Sequence, residues 1–282
     1  MASTKVRSDS RPIGLFDSGL GGLTVLKSLT EQFPEESFLY VGDVARLPYG
    51  NKSPETIRKY GEQILRFLIQ RDVKLLIIAC NTASTVFLGE DQFQGRPLFN
   101  VIEPGARAAL AGTVSKKIGV IGTSTTVQGQ AYSRTLRQLD PSIHTLEVAC
   151  PLFVPLAEEG MAQDEVTQLM ARRYLAPLIA EQVDTLVLGC THYPILRADI
   201  AHVMGPQVKL IESGKVLGEN LKAHFERTGG AAANGSPSTI TICTTDVTAH
   251  FSRLAQNLMA RGPSESSSGS CSRSCRPKRT AV

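Results

Sequence analysis

The chain has 282 residues, 42% of them hydrophobic and 20% charged, an ordinary composition for a globular protein of one large α/β domain or two modest ones. It has no apolar run long enough to cross a bilayer, and its first residues (MASTKVRSDSRP) lack the apolar stretch of a secretory signal, so a cytoplasmic location without a membrane partner is expected. The formal charge of +4 lies in the tail from 261 to 282, where Arg261, Arg273, Arg276, Lys278 and Arg279 outnumber the single acid Glu265; the rest of the chain is neutral, so no nucleic-acid partner is required.

Residues 1–11 are expected to be unstructured. From there the chain alternates strand and helix. Strands are predicted at 13–17, 37–42, 75–79, 98–102, 117–122, 144–149, 185–189, 208–211 and 239–243, most of them short runs rich in Val, Ile and Leu, as buried parallel strands are. Helical periodicity occupies 23–32, 54–71, 126–139, 163–181, 215–227 and 247–260, and TGGAAANGSPS at 228–238 reads as a flexible loop. The Ser-rich basic segment 261–282 cannot bury enough apolar surface to fold and is expected to be unstructured. Repeated strand–helix units imply parallel sheets with right-handed crossovers.

Two landmarks recur. IGLFDSGLGGLTVLKSL from Ile13 is echoed by IGVIGTSTTVQGQAYSRTL from Ile118, and IIACNTA from Ile77 by VLGCTHY from Val187. The first pair alone reads as a chance likeness between common units. Similar offsets in the same order favour a duplication: an α/β fold of two pseudo-symmetric lobes, each a mainly parallel sheet flanked by helices, with the active site in the cleft between them. The expected boundaries are 12–103 plus 214–260 for a discontinuous first lobe and 104–213 for the second.

Six cysteines are present, with no Cys-x-x-Cys pair and no export signal, so neither disulfides nor structural zinc are expected. Cys80 and Cys190 each follow an apolar strand and precede a helix, the place where open α/β sheets bind ligands and where helix amides favour a thiolate. A lone strand-end cysteine is more often a packing residue. Here each has polar company, Asn81 and Thr82 after one and Thr191 and His192 after the other. Two facing thiols can invert a stereocentre, one removing a Cα proton while the other supplies a proton to the opposite face. Cys150 also follows a strand, but Pro151 removes an amide and no polar triplet follows, so it is read as structural.

The chain resembles the glutamate racemase family of the aspartate/glutamate racemase superfamily over roughly 12–260. The matching motifs are FDSGLGGL at 16–23, GDVARLPYG at 42–50, ACNTAS at 79–84, GVIGT at 119–123, ACPLFVPLAEEG at 149–160 and GCTHYP at 189–194. The resemblance implies cofactor-independent racemisation of glutamate, supplying D-glutamate for peptidoglycan, with Cys80 deprotonating the D-enantiomer and Cys190 the L-enantiomer. It implies substrate contacts at Asp17, Ser18, Tyr49, Gly50, Asn81, Thr82, Thr123, Thr191 and His192, and help with proton transfer from Asp17, Glu158 and His192. No metal is implied. The expected partner is the small amino-acid substrate, and a homodimer is compatible with the pattern. Asp17 alternatively caps the helix from Leu23, His192 is alternatively a structural histidine, and Glu159 reads as a surface charge. Where the family has Asp-Ser-Gly late in the chain, Glu212-Ser213-Gly214 stands here and is read as a cap for the helix from Lys215.

Three rivals remain at this stage. A dinucleotide-binding reading of Gly19-Leu20-Gly21-Gly22 fails at Thr24, where the fingerprint needs its third glycine. A non-catalytic two-lobed amino-acid-binding module would not require paired thiols. A racemase for aspartate or another small amino acid differs in cavity size, which sequence does not give.

Overall fold

The computed structural model describes residues 8–246 together with Ala255 and Gln256. Two sheets organise the chain. The first holds β1 (Ile13–Asp17), β2 (Phe38–Gly42), β3 (Leu75–Ile78), β4 (Gln92–Phe93) and β5 (Arg96–Asn100). The second holds β6 (Lys117–Gly122), β7 (His144–Ala149), β8 (Thr185–Gly189) and β9 (Lys209–Glu212), after which β10 (Ile240–Thr244) returns to the first. The strand orders are β10-β2-β1-β3-β5-β4 and β7-β6-β8-β9, parallel throughout except for the β4–β5 pair. The stretch β2-β1-β3-β5 thus repeats as β7-β6-β8-β9, which is the pseudo-symmetry that the two sequence landmarks announce. β1, β2, β3 and β8 are buried along their whole length, as apolar runs covered on both faces must be.

Helices cover both faces. α1 (Gly22–Gln32) and α2 (Pro54–Gln70) lie on opposite sides of the first sheet, packed into separate apolar clusters. α2 shows why its segment is helical: Ser53 caps the Thr56 N–H, Pro54 occupies the first turn, and Ile57, Gly61, Ile64, Leu65 and Leu68 form one buried stripe. α3 (Asn81–Val86) and α4 (Ile102–Gly112) follow β3 and β5. α5 (Ser124–Gln128), α6 (Ala131–Leu139), α7 (Phe153–Glu158), α8 (Glu165–Ala180) and α9 (Arg197–Met204) belong to the second sheet's half, and α10 (Ser213–Thr228) packs against α1 and α4.

Several expected elements shift. The strand placed at 98–102 is β5, because the Asn100 side chain accepts the Ile102 N–H (3.0 Å) and turns the chain into α4. The helix expected over 126–139 is two helices, broken where Gln130 adopts a left-handed conformation (φ 47°). The helix expected from Gln163 starts at Glu165, since Gln163 has φ 65° and Asp164 caps the Val166 N–H. α10 begins at Ser213 rather than Lys215, and Glu212 pairs with Lys215 (3.0 Å) and Arg197 (3.3 Å) instead of capping. The expected helix 247–260 lies outside the described residues apart from Ala255 and Gln256, which are helical. Residues 1–7 and 257–282 also lie outside them, but residues 8–11, expected to be unstructured, are pinned: the Asp9 N–H donates to the Ala231 carbonyl (3.1 Å) and Arg11 pairs with Asp9 and Asp72.

At the strand N-termini, far from the polar strand ends, the Lys74 ammonium meets the Glu36 carboxylate at 2.5 Å with both side chains almost wholly buried. It also donates to the carbonyls of Asp9 (2.8 Å) and Gly230 (2.9 Å). Lys74→Ala leaves a buried carboxylate unpaired and is expected to cost about 3–5 kcal/mol of stability in urea unfolding. A loss under about 1 kcal/mol would mean that water reaches Glu36.

Candidate active site

The site lies at the C-terminal ends of the strands, where the two sheets' halves meet. Cys80 follows β3 and caps α3, its sulfur accepting the Ala83 N–H at 3.4 Å and contacting the Ser18 hydroxyl at 3.5 Å. Cys190 follows β8, with Sγ 3.8 Å from His192 Nδ1. Both cysteines line one cavity, together with Ser18, Tyr49, Gly50, Asn81, Thr82, Thr123, Thr191 and His192. Asp17 and Glu158 stand just behind its wall. The Asp17 carboxylate accepts the Gly19 N–H (2.9 Å) and the Thr191 hydroxyl (3.2 Å), so it bridges the two halves rather than simply capping α1. Glu158 Oε1 lies 3.0 Å from His192 Nε2, whereas Glu159 is exposed.

The cavity has only about 20 Å³ of free volume, room for roughly one water. Its walls are held together across the halves. The Thr82, Thr123 and Thr126 hydroxyls form a triangle with sides of 2.9, 3.1 and 3.0 Å, and Thr125 donates to the Gly50 carbonyl at 2.9 Å. Two glycines allow this approach. A Cβ on Gly21 would lie 2.4 Å from the Thr191 hydroxyl oxygen, and one on Gly50 would lie 2.6 Å from the Thr123 Cβ. A wider groove of about 850 Å³ shares Gly50 with the cavity and presents Lys52, Arg58 and Arg134.

Electrostatics act strongly on three groups around the cavity. Burial first, then the Asp17 charge, push the Cys80 thiol up to about 12, against the opposing bonds from Ala83 and Ser18. Burial also raises Asp17, with His192, Gly19, Gly22 and Thr191 acting against it. Burial alone would lower His192, but its contacts with Cys190 and Glu158 outweigh that and hold the imidazolium up to about 10. Its stabilising contribution is therefore full below the ordinary value of 6.5 and is lost as pH rises through about 10. In Glu158→Gln the His192 ring is expected to titrate roughly one to two units lower by NMR. An unchanged titration would mean that the Cys190 contact alone holds the proton.

Sequence reasoning passed over four contributors. Leu47, Pro48 and Val154 also line the cavity. Buried Asp43 accepts the Tyr49 hydroxyl at 2.5 Å and so fixes the ring that closes one wall. Asp43 sits inside the GDVARLPYG motif directly after β2, and an acid at the end of an apolar strand is the signal that could have found it. Cys150 is buried with its sulfur toward the Val148 carbonyl, outside the cavity, in keeping with a structural part. Among the described residues no group of three or more His, Cys, Asp or Glu is placed to hold a metal ion, and no helix is long and apolar enough to cross a membrane.

Fold and site together define a two-lobed α/β protein that brings one thiol from each half to a shared polar cavity, the equipment of an acid/base enzyme. Residues 13–220 match the model of the Asp/Glu/Hydantoin racemase family, and the chain belongs to that family. It is 51% identical to a glutamate racemase of Geobacter metallireducens over 206 residues, 73% of this chain and 76% of that one. Among solved structures it resembles glutamate racemase isoform RacE1 from Bacillus anthracis (TM-score 0.85, 35% identity, 89% of this chain and 94% of that one). It also resembles a Francisella tularensis glutamate racemase in complex with D-glutamate (TM-score 0.82, 34% identity, 90% and 96%).

Proposed function

We propose that this racemase interconverts L- and D-glutamate by moving the Cα proton between Cys80 and Cys190 without a cofactor, and that it supplies D-glutamate for peptidoglycan in the cytoplasm. The observation that carries the reading is that sulfurs following equivalent strands of the two lobes line one cavity. For one direction, a Cys190 thiolate beside the His192 imidazolium takes the proton from L-glutamate. The Cys80 thiol, which burial and Asp17 keep protonated, delivers its own proton to the other face of the planar carbanion. Cys190 then holds a proton and Cys80 a negative charge. The D-enantiomer enters this second form, and the reverse reaction restores the first.

The hydroxyls of Ser18, Thr82, Thr123 and Thr191 and the Asn81 amide offer neutral donors for two carboxylates. Asp17 and Glu158 supply negative charge near the ammonium and the imidazolium. Glutamate is far larger than the free volume, so binding must part the threonine seam and closure must re-form it, which excludes water from the carbanion.

The test incubates the protein with L-glutamate in deuterated water without added cofactor, with L-aspartate as a parallel arm. The expected result is D-glutamate carrying deuterium at Cα, with aspartate turning over far more slowly. A folded sample inert toward glutamate would sink the proposal, and faster exchange of aspartate would reassign the substrate.

A further inference from the structure

Asn81 opens α3 and lines the cavity beside Cys80, with its side chain almost wholly buried. Its Oδ1 accepts two hydroxyls, from Tyr132 at 2.7 Å and from Ser213 at 3.4 Å. Neither donor residue lines the cavity. Its Nδ2, by contrast, is buried with no hydrogen-bond partner. Buried amide N–H groups are rarely left without an acceptor, because desolvation is then uncompensated. An amide has nearly the same shape either way round, so its neighbours decide which end faces a ligand. Here both lone pairs of the oxygen face donors outside the cavity.

We infer that Tyr132 and Ser213 are positioning residues that lock the Asn81 amide with its N–H groups toward the cavity, making this wall a receptor for a substrate carboxylate. The inference rests on the racemase reading above and adds the device that sets the polarity of one wall. A face that only donates rejects an ammonium, so it also decides which way round an amino acid sits.

The three residues come from separate parts of the chain. Asn81 belongs to the first lobe, Tyr132 lies on α6 against the second sheet, and Ser213 is the first residue of α10, where the chain leaves β9. The Tyr132 ring is boxed by backbone. A Cβ on Gly105 would lie 3.1 Å from it, and one on Gly189, the neighbour of Cys190, would lie 3.3 Å away. Burial pushes the Tyr132 hydroxyl up against a bond from Ser213, so the phenol stays protonated and able to donate to Oδ1. One side chain thus lies close to the strand end that carries one cysteine and orients the residue after the other.

The test compares wild type, Tyr132→Phe, Ser213→Ala, Asn81→Ala and the Tyr132→Phe/Asn81→Ala double variant in glutamate racemisation. Binding of glutarate, a dicarboxylate without an amine, is measured alongside by calorimetry. Tyr132→Phe is expected to raise KM and weaken glutarate binding by roughly tenfold, with kcat changed much less; Ser213→Ala does the same by about two- to threefold. In the Asn81→Ala background the Tyr132 change should add nothing. Folded Tyr132→Phe with unchanged KM and glutarate affinity, an effect confined to kcat, or full additivity with Asn81→Ala would each overturn the inference. If Tyr132→Phe does not fold, Ser213→Ala reads the same contact, and normal glutarate affinity there counts against it. Inert wild-type protein would remove the racemase reading, while the glutarate comparison would still judge the lock.

Discussion

Cys80→Ser is expected to lower kcat for glutamate racemisation by about 10³-fold or more while leaving the protein folded, and Cys190→Ser to do the same. Serine is a sound probe at Cys80 because the side chain also caps α3 through the Ala83 N–H, and serine is among the best helix caps. The cap survives and the acid/base group does not, since a hydroxyl ionises far too weakly to accept a Cα proton. The two variants also differ in which enantiomer stays exchangeable. With only Cys190 left, solvent deuterium enters L-glutamate without inversion, because the opposite face has lost its acid. With only Cys80 left, the D-enantiomer exchanges in the same way. Mixing the two variants restores nothing, since both thiols of a site come from one chain. Chiral chromatography with mass detection reads all these outcomes. Racemisation within tenfold of wild type in either single variant would place the chemistry elsewhere.

How much of this was legible in sequence depends on the range of the interaction. β1, β6 and β8 fall where their apolar runs place them, because a buried parallel strand carries its signal in consecutive residues. The two cysteines were equally local: a thiol after an apolar strand with a polar residue on its far side. The short helices α7 and α9 escaped notice because helices of this length carry few turns of periodicity and owe their stability to packing. Pairings that act across the chain were invisible. Thr191 meets Asp17 across 174 residues, and Ser213 meets Asn81 across 132. Ser213 shows the limit well. Its sequence neighbours made it a helix cap, and only the return of the chain toward the first lobe brings its hydroxyl beside a cavity residue.

Asp17→Asn is expected to slow racemisation by about 10²- to 10⁴-fold and, at neutral pH, to make the protein more stable. The two effects have one cause. Asp17 is fully buried, and burial raises its proton affinity above the ordinary carboxylate value of 3.8 despite the donors around it. A group whose folded value is raised contributes stability that is full below the unfolded value and is lost as pH rises through the folded one. At neutral pH the ionised group is therefore a cost that the fold carries. Asparagine has the same shape. Its oxygen can take the Gly19 N–H and its amide can donate to the Thr191 hydroxyl oxygen, so the bridge between the lobes stays closed while the buried charge disappears. The stability gain should shrink as pH falls and the wild-type carboxyl takes up its proton. Activity falls because the substrate ammonium and the proton path lose their negative neighbour. Cys80, relieved of the Asp17 charge, should become more acidic than its value of about 12, which alkylation rates against pH would reveal. A variant that is more stable and has a more acidic Cys80, yet racemises normally, would show that Asp17 serves only to join the lobes. A less stable variant would mean that the buried charge contributes more to holding Gly19 and Thr191 than its desolvation costs.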